Sequence, residues 1–185
     1  AEASNRIDEP EKWESALFLR LKTLEADIEK GFDLFKKLMI SADFNDKKRI
    51  AELVLEYRND LKSSIINMGN SYAGLRAAAK ISPVLAVEET WRGVEQYLFI
   101  NSICGDLEKN ISSIIDALFK IRIHLNRREG FKASLCGDSR VLPRILPLIS
   151  SLYKDLSVEP LGAKTPLTVL NRQTAETLLI PSSLW

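Results

Sequence analysis

One histidine, His124, stands in this chain of 185 residues, and that count bounds the chemistry available to it. A hydrolytic zinc centre takes three protein ligands and usually more than one histidine. In IRIHLNRREG the next acidic residue after His124 is Glu129, and no second histidine follows. Beside several arginines near a helix end, His124 reads as a solvent or capping residue. Ser63-Ser64, Ser112-Ser113 and Ser150-Ser151 fall on helical patterns without a histidine base, so a serine nucleophile has no proton acceptor. Glu88-Glu89 read as acidic complements to a helix dipole near its start. Tyr72 and Arg76, four apart, read as helix packing rather than a substrate clamp. Cys104 and Cys136 lack a C-x-x-C spacing and read as two reduced thiols in a reducing, intracellular setting. The sequence therefore assembles no catalytic, cofactor-binding or metal-ligating set of its own. Gly137 reads as a turn residue, and no glycine-rich loop follows a strand to hold phosphate.

Composition narrows the classes further. The chain is 45% hydrophobic and 28% charged with a formal charge of +1, which suits a globular domain and offers no electrostatic footprint for nucleic acid. At this length one domain buries roughly 70% of its unfolded surface. No apolar run reaches the roughly 18 residues of a membrane-spanning helix, and AEASNRIDEPEK is no signal peptide. Ala1 at one end and the apolar LLIPSSLW at the other suggest a fragment of a larger protein.

Periodicity then supplies the elements. Leu17, Leu19 and Leu21 alternate with Phe18, Arg20 and Lys22, predicting a strand over Ser15–Lys22. Thr23 is placed to cap a helix over Leu24–Ile40, whose stripe is Ile28, Phe32, Phe35 and Met39. A long helical pattern from Asp46 to Lys80 carries Gly69 and Gly74, so either it breaks near Met68–Ser71 or another backbone approaches closely there; close approach with a kink is the favoured expectation, along the small-residue face of Ala73, Gly74, Ala77, Ala78 and Ala79. Ser82-Pro83 starts the next helix, with the stripe Val84, Val87, Trp91, Val94 and Leu98. Asp106 opens another, with Leu107, Ile111, Ile114, Leu118, Ile121 and Leu125 inward and Arg122, Arg127 and Arg128 facing solvent as dipole complements. Glu129–Cys136 alternates as a second strand. Ser139 is placed to cap a helix over Val141–Leu156, with Pro147 predicting a late start or a kink. Residues 157–172 read as an extended connector and Thr177–Ile180 as a strand.

This order predicts an α+β fold: a small, mostly antiparallel sheet with helices packed on one face, in a fragment dominated by helices. Residues 1–12 read as disorder or the start of a linker, 13–156 as the α+β domain, and 157–185 as a linker with the first strand of a following domain.

Three features in register carry a resemblance: the opening ALFLRLKTLEADIEKGFDLFKKLM, the central SYAGLRAAAKISP, and LCGD before a helix. With the closing TAETLLIPSSLW, they resemble the presequence-protease branch of the insulinase/pitrilysin zinc metallopeptidases from Trp13 to Trp185. The resemblance implies most of the third of four homologous domains, in the half that closes over a zinc-bearing N-terminal half with an H-x-x-E-H motif. It thus implies zinc in that missing half and none in this chain. The implied partners are the N-terminal catalytic half of the same polypeptide and peptide substrates, with no nucleic acid and no membrane. The arginine and tyrosine that the family's closing half lends to substrate binding would lie beyond Trp185, so no residue here takes their roles. Such a chain would be inactive in isolation, would shape a chamber wall, and would expose a sheet edge prone to self-association. A bacterial cytoplasm and an organelle matrix both suit it. Two alternatives stay open: a catalytically dead, core-subunit-like homologue, and a helical interaction module using the Gly74 face or the Trp91 stripe.

Overall fold

The computed structural model describes residues 1–5 and 12–160. The fold is α+β and helix-dominated: β1 (Glu2–Asn5), β2 (Trp13–Ala16), α1 (Ile28–Ser41), α2 (Lys47–Asn67), α3 (Gly69–Ala78), α4 (Pro83–Arg92), α5 (Val94–Cys104), α6 (Leu107–Leu125) and α7 (Leu142–Asp155). Two compact units divide it. One gathers Ala1–Phe18 with Ala51–Asn110, the other Leu19–Ile50 with the described chain from Ile111 onward.

In the first unit, β1 and β2 pair antiparallel with Ala3 opposite Ser15. Glu2–Asn5 thus lies in a ladder, within a segment that reads from sequence as a linker start. The expected strand over Ser15–Lys22 keeps only its first two residues, inside Trp13–Ala16. From Leu17 onward the segment joins no ladder among the described residues, and Leu17, Leu19 and Leu21 are exposed. The Asp46–Lys80 pattern breaks at Met68, whose ψ of 36° leaves the helical region between α2 and α3. Close approach is not the reason for the glycines, since a Cβ at Gly69 or Gly74 would meet nothing within 4 Å. The small-residue face around Ala73, Gly74 and Ala77 is open to solvent. Ser82 caps α4 as its sequence predicts, its Oγ accepting from the Leu85 N–H at 3.4 Å, with Pro83 in the first turn. The predicted stripe then breaks at Gly93, which divides α4 from α5 and leaves Leu98 exposed. Leu61, Ile65, Ala79, Ala86, Val87, Val94 and Ile100 are the buried apolar residues of this unit. α4 packs against α3, α5 and β1.

In the second unit, α1 opens through a 3-10 turn, Glu25–Asp27, without a side-chain cap. Thr23 donates its hydroxyl to the Leu24 carbonyl instead of capping. Ile28 and Phe32 are buried, and the Phe32 and Phe35 rings lie 6.1 Å apart. α1 packs beside α7 in the same direction: Arg144 pairs with Glu29 at 2.9 Å near their starts, and Lys36 pairs with Asp155 near their ends. Ile111, Ile115, Leu152 and Leu156 complete the buried apolar set. Ile121 and Leu125, expected inward, are exposed, because the last turns of α6 turn their polar side chains to other work.

That work corrects the reading of the three arginines as solvent-facing. Arg122 donates to the Ala42 carbonyl just past α1 and lies over the Phe44 and Phe119 rings, 5.8 and 5.0 Å from their centroids. Asn126 donates to the Met39 carbonyl at 2.7 Å. Arg128 reaches the carbonyls of Tyr153, Lys154 and Leu156 at 3.1, 2.7 and 3.2 Å, closing the carboxyl end of α7. Arg127 donates to the Pro160 carbonyl. Carbonyls at a helix carboxyl end have no partner within their own helix, and cations offset the negative end of the dipole. Arg122 and Arg128 complement dipoles as expected, but of helices other than their own, while the carbonyl that Arg127 reaches lies beyond the end of α7.

The predicted strand over Glu129–Cys136 is absent. Gly130 turns the chain at φ 83°, and Phe131–Cys136 joins no ladder among the described residues, the nearest pairing they show being a single parallel bridge between Arg127 and Ser157. Asp138, not Ser139, orders the next start: its carboxylate accepts from the Arg140 N–H at 2.9 Å and its carbonyl receives the Val141 N–H. α7 starts at Leu142 and continues through Pro147, so the proline does not delay it. The strand expected over Thr177–Ile180 and the connector beyond residue 160 lie outside the described residues.

Two outcomes test these assignments. Because Gly74 faces open space in a helical conformation, Gly74→Ala should stabilise the chain by about 0.5–1 kcal/mol in urea unfolding, through the helix preference of alanine. The Arg144 guanidinium beside Glu29 holds its carboxyl below the ordinary 4.5. The stabilisation that pair supplies is therefore full above 4.5 and fades as pH falls through the lower, folded value. An NMR titration of Arg144→Gln should show Glu29 moving up toward 4.5; an unchanged midpoint would remove Arg144 as the cause.

Candidate functional site

Charged side chains converge at one buried place, where α3, α4 and α5 meet. Glu89 is wholly out of solvent at 0% exposure and Glu88 is 4% exposed. Both lie in the second half of α4, not at its start, so the sequence reading of them as first-turn dipole complements fails. Glu89 serves the start of the following helix instead. Its Oε2 accepts from the Val94 N–H at 3.2 Å and its Oε1 from the Glu95 N–H at 3.3 Å, which satisfies two of the N–H groups orphaned where α5 begins.

Arg76 enters from α3. Its Nη1 lies 2.6 Å from Glu89 Oε1 and 3.0 Å from Glu95 Oε1, so one guanidinium joins α3 to α4 and α5. Glu88 does the same toward the sheet: its Oε1 accepts the Ala3 N–H at 2.8 Å, and its carboxylate pairs with Arg92 one turn on. Tyr72, four residues before Arg76, donates to Ser64 at 3.0 Å and ties α3 back to α2. Tyr72 and Arg76 therefore serve packing, as the sequence suggests, with the ion pair as the added element.

The backbone makes room for this. A Cβ built at Gly93 would fall on the Glu89 carboxylate and lie 2.6 Å from its carbonyl oxygen. Gly93 itself has φ −96° and ψ −158°, a conformation open to any residue, so the demand for glycine is one of space. The sequence carried a signal for this arrangement in Glu89 four residues before a glycine and the apolar-polar Val94-Glu95 after it. The uninterrupted apolar stripe hid it.

Chemically the cluster is a fastener. A general base must come within hydrogen-bond reach of a substrate proton, and Glu89 is sealed from solvent and held by Arg76 and by backbone donors. His124 is exposed near the end of α6, as predicted, and Cys104 is half-buried while Cys136 is exposed. Ser112 accepts from Lys47 at 3.3 Å, yet both side chains stand in water, whereas a lysine that activates a nucleophile is desolvated. Among the described residues no group of three His, Cys, Asp or Glu is placed to hold a metal ion, so the donor set does not fit a zinc centre. No described helix is long and apolar enough to cross a membrane.

Comparison with known proteins gives the context. The profile of the associated-domain family of the M16 peptidases, subfamily C, matches residues 1–103. The chain is 27% identical over 133 residues to "Presequence protease, mitochondrial" of Danio rerio, covering 72% of this chain and 13% of that protein. It is 29% identical over 116 residues to the protein of the same name from Yarrowia lipolytica, covering 62% of this chain and 12% of the relative. An "Uncharacterized protein" of Borreliella burgdorferi is 28% identical over 121 residues, covering 65% of this chain and 12% of its own. The chain thus spans about an eighth of the length of these relatives. No solved structure matches it.

Substitutions at the cluster should separate its parts. Gly93→Ala should cost more than about 3 kcal/mol in urea unfolding, since the methyl must displace a buried, paired carboxylate. Arg76→Met should cost about 3–5 kcal/mol by leaving Glu89 buried and uncompensated, and Arg76→Met with Glu89→Gln should cost less than the sum of the two singles. Additive losses would show that the two side chains act independently.

Proposed function

Because the chain belongs to the associated-domain family of the M16 peptidases, subfamily C, in the presequence-protease branch of the insulinase/pitrilysin peptidases, we propose that it is a non-catalytic part of the closing, C-terminal half of a zinc metalloendopeptidase that degrades peptides. Residues 13–156 then correspond to the third domain without its first strands, and 157–185 to the linker and opening strand of the fourth. The observation that carries this reading is that most of the chain aligns with only about an eighth of each presequence protease. The residue chemistry supports it: the sole histidine is exposed on α6, and the buried carboxylates are occupied in joining helices.

In this reading zinc and the general base belong to the N-terminal half, and these residues contribute one wall of the chamber that closes on a peptide. Zinc would supply activation of the attacking nucleophile there, and no step of that chemistry falls to this chain. Its partners are the catalytic half of the same polypeptide and the peptide substrate, within a bacterial cytoplasm or an organelle matrix. The small sheet is then completed by strands outside these residues. In the isolated chain it would pair with a second copy.

A second reading draws on the open face of Ala73, Gly74 and Ala77, which the first had expected to be buried. On that reading α3 is a docking surface for another helix. The Trp91 stripe does not share this property, since Val87 and Val94 are buried and Trp91 is half-buried.

Two measurements decide. The purified chain should bind no stoichiometric zinc and should leave a fluorogenic presequence peptide uncut, while the longer polypeptide cuts it; zinc with turnover in the isolated chain would overturn the proposal. Sedimentation of the isolated chain should show concentration-dependent association that Leu19→Lys weakens. Association that Leu19→Lys leaves intact and Gly74→Leu abolishes would favour the helical docking surface.

A further inference from the structure

We draw no further inference here: the strongest remaining candidate, the exposed stripe of Leu34 and Leu38 on α1, is an unpartnered apolar helix face, and nothing in the structure shows what covers it.

Discussion

The first unit depends on placing one carboxylate, Glu89, out of water. A buried charge without a partner is prohibitively costly, so every group around Glu89 is arranged to answer it: Arg76 from α3 and the leading N–H groups of α5. The same carboxylate excludes any side chain at position 93, where α4 gives way to α5. The interhelical ion pair and the glycine thus follow from a single requirement. Hydrophobic burial of Ala86, Val87 and Val94 supplies the attraction between these helices, but attraction of that kind is non-directional. The ion pair selects one register among those that would bury similar area.

The second unit solves a different problem by related means. α1 has no basic residue in its last turn, so the terminal carbonyls that form the negative end of its dipole have no cation of their own helix to answer them. Arg122 and Asn126 of the α6 end reach across to them, and Arg128 performs the same service for α7. One short run, Arg122–Arg128, therefore finishes two other helices. Its cost appears in the apolar pattern, where Ile121 and Leu125 lose their inward places.

Much of the architecture was legible from periodicity. The Ser82-Pro83 start, the Ile28 and Phe32 stripe and the extent of α7 follow from spacing and local capping chemistry, which act within a turn or two. The misreadings share a cause. Leu17–Lys22 and Phe131–Cys136 have strand-like alternation, but a strand exists only with a partner backbone, and no local pattern says whether one is present. Glu88-Glu89 and Arg128 have ordinary surface identities, and what makes them structural is a contact made 13 to 85 residues away in the chain. Of the candidate site, the carboxylate cluster was concealed behind an apolar stripe. The family resemblance was legible because order and spacing of elements survive where individual contacts are invisible.

The Arg128 closure carries an implication for synthesis. Translation delivers α6 and Arg128 before α7, so the guanidinium finds its partners, the carbonyls of Tyr153, Lys154 and Leu156, only once the last turn of α7 has emerged. Closure of that helix end is therefore a late event in synthesis, and a chain cut short before Tyr153 leaves Arg128 without all three of these carbonyls.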